Sequence, residues 1–251
     1  MTLLALQDVG KCFPDGTRWT VVLDKVSLQV DAGESVGVFA SKQAGKTTLL
    51  RIMAGLEAPD SGVVLWDGQD IARMKASERA RLLRSDGVAL AKGSWDAKSA
   101  TSVLEYVADS LYSEGLTMNE AASRARHALE DVQAEHLANK PTAQLGLSER
   151  VRAGLAHALA HRPRLLLVDE PAVLPRPEEA REFYALLDAL RKQFGFALLV
   201  ASEEIIAVRS APRILNLANG RLSSTDSRRK VVQISDHRAD GHGSQGGGVA
   251  S

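Results

Sequence analysis

The chain has 251 residues, of which 45% are hydrophobic and 25% are charged, and its 31 Lys and Arg residues balance 31 Asp and Glu residues. These fractions are typical of a soluble globular protein and exclude a wholly disordered chain or a fibrous repeat. The zero net charge argues against a surface built as a whole for nucleic acid, the single cysteine, Cys12, excludes an internal disulfide, and no apolar run is long enough to span a membrane.

The first third of the chain predicts strands followed by a strand, a loop and a helix. Apolar and polar residues alternate with turn signals over residues 1 to 34, which predicts short antiparallel strands. Ser35 to Phe39 has the pattern of a buried strand, and Thr47 to Gly55 has helical spacing. A further strand is predicted at Val63 to Asp67 and a polar helix at residues 76 to 84.

Beyond residue 86 the pattern favours helices that alternate with strands. Residues 99 to 138 and 149 to 161 are predicted to be helical, and Leu165 to Val168 predicts a parallel strand covered on both faces, with Asp169 and Glu170 at its carboxyl edge. The next predicted elements are a helix at about 177 to 193, a strand at 196 to 201, another helix and a strand at 213 to 217.

The order of these elements predicts an α/β protein with a three-layer core, an N-terminal antiparallel β region and an inserted α-helical subdomain at about residues 86 to 160. The predicted domain covers residues 1 to 222. Residues 223 to 251 are rich in Gly, Ser and charged residues, which predicts a mostly disordered tail.

Residues 40 to 48, Ala-Ser-Lys-Gln-Ala-Gly-Lys-Thr-Thr, stand between a predicted strand and helix, where a G-x-x-x-x-G-K-[ST] phosphate loop belongs. In such a loop the backbone N–H groups wrap phosphates, a lysine reaches the terminal phosphates, and a hydroxyl binds Mg²⁺. The expected binding residues are Ala40, Lys42, Ala44, Gly45, Lys46, Thr47 and Thr48. Ala40 replaces the first glycine, at a cost of about 1 to 2 kcal/mol if its φ is positive and little otherwise.

Further segments match one family in the same order along the chain: LDKVSL from 23, AGE from 32, TLLRIMAGL from 48, PDSG from 59 and ALAHRPRLLLVDEP from 158. Over about residues 3 to 222 the chain resembles the ATP-binding subunit of an ABC transporter. The resemblance implies an ABC-type P-loop NTPase fold that uses ATP and Mg²⁺. It also implies that Phe13 stacks on adenine, that Thr47 and Asp169 serve Mg²⁺, and that Glu170 orients the attacking water.

Four segments depart from the family pattern. The signature L-S-G-G-[QE] aligns with Leu145 to Glu149, where both glycines are replaced, and the loop S-A-L-D reads Val-Leu-Pro-Arg at 173 to 176. Ser202 stands at the switch histidine, and Ala91 stands where the family has a glutamine that couples Mg²⁺ to the transmembrane subunit. The hypothesis is a subunit that binds ATP and hydrolyses it slowly; the alternative is a divergent transport ATPase in which Glu170 still positions water.

The resemblance implies a subunit at the cytoplasmic face, peripheral on the inner face of the plasma membrane. Its expected partners are a separate transmembrane permease and a second ATP-binding subunit, in a homodimer or heterodimer, and no nucleic acid is expected. The first ten residues lack a signal-peptide pattern, which favours a cytosolic protein. Ala76 to Arg81 resembles the branch that serves lipoprotein release and macrolide efflux. The alternative functions are a nonhydrolytic regulatory or scaffold subunit and a relative that acts on DNA or ribosomes; the latter is disfavoured because such relatives usually fuse two cassettes.

Four other side chains allow two interpretations each, and Trp95 allows one. Lys42 either adds charge to the phosphates or is an exposed lysine. His157 and His161, at i and i+4, either share a metal or pack within a helix face. Trp95 is a candidate for docking a transmembrane helix. Tyr106 either docks such a helix or belongs to the core of the helical subdomain.

Overall fold

The computed structural model describes residues 1–92, 101–112, 114–169 and 176–224. The strands are β1 (Thr2–Asp15), β2 (Arg18–Asp31), β3 (Ser35–Phe39), β4 (Ser61–Trp66), β5 (Gln69–Asp70), β6 (Val88–Lys92), β7 (Leu165–Asp169), β8 (Ala197–Ser202), β9 (Arg213–Ala218) and β10 (Arg221–Ser224). The helices are α1 (Lys46–Met53), α2 (Ala76–Ser85), α3 (Val103–Tyr112), α4 (Met118–Asp131), α5 (Leu147–Leu159), α6 (Pro177–Phe194) and α7 (Ile205–Val208).

The strands form two sheets. One is antiparallel with the order β2-β1-β4-β5, and the other has six strands in the order β10-β9-β3-β8-β7-β6. In the second sheet the strands from β9 to β6 are parallel, and β10 returns antiparallel to β9. Parallel strands end at the same edge, so the ends of β3, β8 and β7 lie side by side. Phe39 pairs with Ser202, and Asp169 pairs with Ala201.

Burial on both faces of the six-stranded sheet explains its apolar strands. In β7, Leu165 and Leu167 pack into a core shared with α1 and the antiparallel sheet, whereas Leu166 and Val168 pack into a core shared with α3 to α7. All five residues of β7 are buried. A run without alternation is therefore what two covered faces require, and the predicted three-layer architecture is confirmed.

The N-terminal region is one long hairpin of two 14-residue strands, where the sequence predicted several short strands. Pairing between β1 and β2 shifts register at several points. Asp8 and Lys25 take φ values of 48° and 50°, in the left-handed region. Bulges of this kind bend a strand pair without ending it. The turn signals at Asp15-Gly16 and at Asp31 to Gly33 coincide with the turns that follow β1 and β2, so these turns are confirmed and the strands between them are longer than predicted.

The inserted region begins after β6, because β6 pairs with β7 at the edge of the parallel sheet. It contains α3, α4, two single-turn 3-10 helices (Glu135–Leu137 and Thr142–Gln144) and α5. α4 starts with a capping box, in which Thr117 and Glu120 bond reciprocally to each other's backbone N–H. None of the helices seen in the described ranges combines the length and apolarity of a membrane span. β10 extends to Ser224, two residues into the segment predicted as a tail, and the rest of that segment lies outside the described residues.

Close packing between α7 and the parallel sheet depends on a glycine in β3. A Cβ built on Gly37 would lie 2.7 Å from the Cβ of Val208 and 2.8 Å from its carbonyl oxygen. Only glycine leaves room for the helix backbone at this distance. α7 directly follows the end of β8, so this contact also fixes where the chain leaves the sheet edge.

Candidate functional site

The phosphate loop leaves the end of β3 and enters α1. Its first residue, Ala40, is fully buried and has a negative φ, and its N–H donates to the carbonyl oxygen of Ser202 at 3.1 Å. The backbone conformation that would strain an alanine is therefore absent, so this replacement leaves the loop geometry intact. Ala44 donates its N–H to the Ser41 carbonyl at 3.3 Å, which closes a turn before the helix.

The loop reaches α1 through two residues with left-handed backbone. Gly45 caps the helix with a φ of 99°, and a Cβ there would lie 3.0 Å from both the Cγ1 and the carbonyl oxygen of Val22. Gln43 takes a φ of 64°, which an L-residue adopts at a cost. The sequence signal for this conformation is that the resembled family carries glycine there. Lys42 is exposed beside it, which fits the surface-lysine interpretation as well as a phosphate role.

Lys46 and Thr47 begin α1 and carry the polar groups of the loop. Lys46 is 6% exposed, and its Nζ donates to the carbonyl oxygens of Ala40 at 3.2 Å and Ser41 at 2.9 Å. The hydroxyl of Thr47 donates to Asp169 Oδ2 at 2.9 Å, across the intervening β8. A lysine, a hydroxyl and a carboxylate thus meet at a helix N-terminus, the donor set that a phosphate with Mg²⁺ requires. Thr48 follows in α1, partly buried.

Phe13 lies near the end of β1, opposite the part of β2 that approaches the phosphate loop. It pairs with Thr20, two residues before Val22, which approaches Gly45. A register shift between Lys11 and Cys12 interrupts the regular strand alternation at this point. The ring is 36% exposed, and the Nζ of Lys11 lies 5.2 Å from its centroid. Stacking of this ring on adenine stays a prediction.

The other expected catalytic positions hold short side chains. Ser202 is fully buried, and its Oγ accepts from the N–H of Glu204 at 3.0 Å, which fixes the turn after β8. Ala91 is buried in β6 and pairs with Val168, one residue before Asp169. Neither side chain supplies positive charge or a long polar group at the sheet edge. Glu170 lies outside the described residues.

The segment aligned with the signature forms the first turn of α5. Glu149 Oε2 accepts from the N–H of Gly146 at 2.8 Å, and Lys140 Nζ lies 2.7 Å from the same oxygen. The bond from Lys140 is the main reason that the pKa of Glu149 is lowered. Leu147, in place of a glycine, is 40% exposed at the first helical position. A carboxylate thus caps the helix end that the family uses for phosphate.

A second carboxylate, that of Glu179, binds Ser148, which replaces the other signature glycine. Ser148 Oγ donates to Glu179 Oε2 at 2.6 Å, and Arg176 Nε donates to Glu179 Oε1 at 2.6 Å. These two bonds, the one from Ser148 first, lower the pKa of Glu179. No sequence pattern indicates this contact, because α5 and α6 are joined here only by the fold. Residues 170–175, which precede Arg176, lie outside the described part of the chain.

The histidines of α5 pack within the helical subdomain. His157 stacks on Tyr106 with ring centroids 4.8 Å apart, and His161 contacts Glu114. Burial is the main cause that lowers the pKa of His157 to about 4 and raises the pKa of Tyr106 to about 12. No group of three or more metal-ligating side chains occurs among the residues that the structure describes, so the packing interpretation is favoured. Trp95 lies outside those residues.

Comparison with known proteins finds similarity to one protein family along most of the chain. Residues 23–173 match the family model described as ABC transporter. The lipoprotein-releasing system ATP-binding protein LolD of Shewanella denitrificans is 32% identical over 227 residues, which are 90% of this chain and 97% of that protein. The methionine import ATP-binding protein MetN of Rhizobium johnstonii is 37% identical over 221 residues, which are 88% of this chain but only 59% of MetN.

Solved structures show the same fold. One solved structure is the dimeric structure of a post-hydrolysis state of an ATP-binding cassette bound to ADP and Pi. It matches this chain with a TM-score of 0.81 at 24% identity, and the match covers 88% of this chain and 98% of that chain. The cassette cbiO1 of Clostridium perfringens, described as part of a transporter complex, has a TM-score of 0.79 at 23% identity, and covers 94% of this chain and 92% of that chain.

Proposed function

This chain belongs to the ABC transporter family and is one of its ATP-binding cassettes. We propose that it binds ATP with Mg²⁺, hydrolyses it slowly, and couples ATP binding and hydrolysis to a separate transmembrane subunit. The observation that carries the proposal is the hydrogen bond of 2.9 Å between Thr47 and Asp169. It joins the phosphate loop to the acidic strand end at the point where a metal-bound phosphate would lie.

The residues of the loop fit the triphosphate of ATP. The first N–H groups of α1, which have no acceptor within the helix, would donate to the phosphates. The Lys46 ammonium, which now donates to two carbonyl oxygens, would exchange them for phosphate oxygens. Bound Mg²⁺ neutralises charge on the phosphates. Thr47 and Asp169 would hold that ion, and Phe13 would cover the adenine. The negative φ of Ala40 supports an intact cradle.

Slow hydrolysis follows from the residues around this cradle. The buried hydroxyl of Ser202 already accepts a backbone N–H, so it adds no positive charge to the developing transition state. Ala91 offers no ligand to the metal or to water. We propose that Glu170, which follows Asp169 in the sequence, orients the attacking water and sustains the remaining turnover.

Weak function in a dimer is also proposed, because Leu147 and Ser148 replace both signature glycines at the start of α5. Leu147 and Ser148 would restrict the approach of backbone N–H groups where the family closes the signature over a partner's γ-phosphate, and the Ser148 hydroxyl already donates to Glu179. The dimeric cassette among the structural relatives supports dimerisation of this chain. A heterodimer with an intact cassette would supply a normal signature to this chain's phosphate loop.

The transmembrane partner is proposed to dock beside β6. A cleft of about 350 Å³ lies between α2, β6, α3 and α5, with Leu56, Arg84 and His161 among its lining residues. Leu56 is 44% exposed there. The floor is formed by β6, which ends beside Asp169. A helix bound in this cleft would therefore contact the strand that borders the proposed nucleotide site. Tyr106 supports the wall by packing on His157.

The cargo and location are proposed from the relatives. LolD matches along nearly its whole length, whereas this chain spans about three fifths of MetN, so a lipoprotein-release-like or macrolide-efflux-like assembly is the better guide. Such a subunit would sit peripherally on the inner face of the plasma membrane. We propose one cassette domain over residues 1 to 222 as the working unit.

The test measures ATP binding and phosphate release separately on the purified chain, and again after co-purification with its permease. Lys46→Ala should abolish binding, while Lys42→Ala serves as the matched lysine control and should leave most of it. Wild type should bind ATP and release little phosphate, alone or assembled. Turnover at the rate of ordinary cassettes would refute slow hydrolysis, and absence of ATP binding would refute the function as a whole.

A further inference from the structure

A second cleft lies far from the phosphate loop. It has a volume of about 520 Å³ and is formed by one face of α4, the end of α5 and the junction between α6 and β8. β7 and β8 run away from it toward Asp169 and Ser202, so it opens at the opposite edge of the parallel sheet. Clefts of this size between structural units are the usual place for small ligands.

The floor of this cleft is apolar and partly aromatic. Leu159, Pro163 and Phe196 are buried beneath it. Phe194, the last residue of α6, stands at the mouth with 50% of its surface exposed. An exposed aromatic ring over a buried apolar floor gains from covering by an apolar group of a ligand.

Two opposite charges line the same cleft without pairing. Asp131 closes the α4 wall and Arg162 lies in the turn after α5. Throughout the described ranges, neither takes part in an ion pair or a side-chain hydrogen bond, whereas Arg124 beside them is engaged by Glu114 at 3.2 Å. Burial raises the pKa of Asp131, and the nearby His127 opposes that shift.

We propose that this cleft binds a free α-amino acid with an apolar side chain. Arg162 meets the carboxylate, Asp131 meets the ammonium group, and the side chain lies between Phe194 and the apolar floor. A zwitterion satisfies both unpaired charges at once, whereas an anion or a cation alone leaves one of them without a counter-charge. Charge-assisted hydrogen bonds of this type are about twice as strong as hydrogen bonds between neutral groups.

Binding here would connect the helical subdomain to the parallel sheet. Asp131 belongs to α4, while Phe194 and Phe196 flank the entry to β8. A ligand held by both sides therefore restrains α4 relative to the sheet. The inference is independent of the proposed ATPase role, since no residue of the phosphate loop takes part.

The test is calorimetric titration of the full chain with three probes of one shape. L-Phenylalanine carries both charges, 3-phenylpropanoate lacks the ammonium group, and 2-phenylethylamine lacks the carboxylate. Concentrations up to about 10 mM detect dissociation constants in the millimolar range. Phenylalanine should bind at one site with saturating ATP present, and each analogue should bind at least about tenfold more weakly.

Matched variants assign the charges. Asp131→Asn should remove the preference for phenylalanine over 3-phenylpropanoate, and Arg162→Gln should remove its preference over 2-phenylethylamine. The neighbouring exposed residues supply the controls, Glu130→Gln and Arg126→Gln, which should bind like wild type. Unchanged thermal unfolding shows that the variants are folded.

Three results would overturn the proposal. These are no binding of phenylalanine over the whole range, equal binding of an analogue that lacks one charge, and displacement of phenylalanine by ATP. The second would mean a simple anion or cation site, and the third would place the amino acid in the nucleotide site.

Discussion

Replacing Thr47 with valine separates the metal role of the phosphate loop from its structural role. Valine keeps the shape and branching of threonine and removes only the hydroxyl, which donates to Asp169 Oδ2 at 2.9 Å. A hydrogen bond to a charged group contributes roughly 1.5 to 3 kcal/mol when buried, and the exposed position of Thr47 reduces this to about 1 kcal/mol. For a domain of this size we expect the melting temperature to fall by about 2 to 4 °C.

The effect on ATP should depend on Mg²⁺. In wild type, Mg²⁺ should strengthen ATP binding, and in Thr47→Val this enhancement should fall at least about tenfold, or about 1.4 kcal/mol. Thr48→Val is the matched control, because the same hydroxyl is lost one residue later; any loss there should be equal with Mg²⁺ and with EDTA. Isothermal titration under both conditions gives the comparison. If Thr47→Val keeps the wild-type Mg²⁺ enhancement, Thr47 and Asp169 do not form the metal site.

Two further predictions concern stability. Gly37→Ala should destabilise the fold by about 1 to 3 kcal/mol, measured by urea unfolding, because its Cβ would overlap Val208; Val208→Ala in the same chain should not rescue it, because the overlap is with the Cβ and the backbone, and full rescue would contradict this account. His157 has a pKa of about 4 in the folded protein, below its unfolded value near 6.5, so the unfolded chain binds more protons between these values. Stability should therefore fall by up to about 3 kcal/mol as the pH drops from about 6.5 to about 4, and a His157→Gln variant that showed the same loss would assign it to other groups.

Strands with two covered faces were predictable, because burial alone determines their composition. Four consecutive apolar residues from Leu165 predict β7 by composition alone, and that strand is confirmed. β6 was not predicted as a strand. Its two alanines, Ala89 and Ala91, have low β-propensity, and their place in the sheet is set by pairing with β7.

The phosphate loop was recognisable from local sequence, whereas its surroundings were not. The motif from Ala40 to Thr48 indicates phosphate binding because the groups that bind the phosphate are consecutive in the sequence. The hydrogen bond between Ser148 and Glu179 joins residues from different helices. Asp131 and Arg162 line the same cleft, which only the packed fold creates. Long-range contacts of this kind leave no periodic or spacing signal in one sequence.

The position of β3 has a consequence for how the protein is made. Val36 lies between Leu199 of β8 and Arg213 of β9, and both of these strands are synthesised in the last quarter of the chain. A growing chain on the ribosome therefore carries the phosphate loop on a strand with both edges unpaired until β8 and β9 emerge. Such late, long-range pairing slows folding and exposes aggregation-prone edges. Chains cut short before β8 should fail to form the nucleotide site even though every residue of the loop is present.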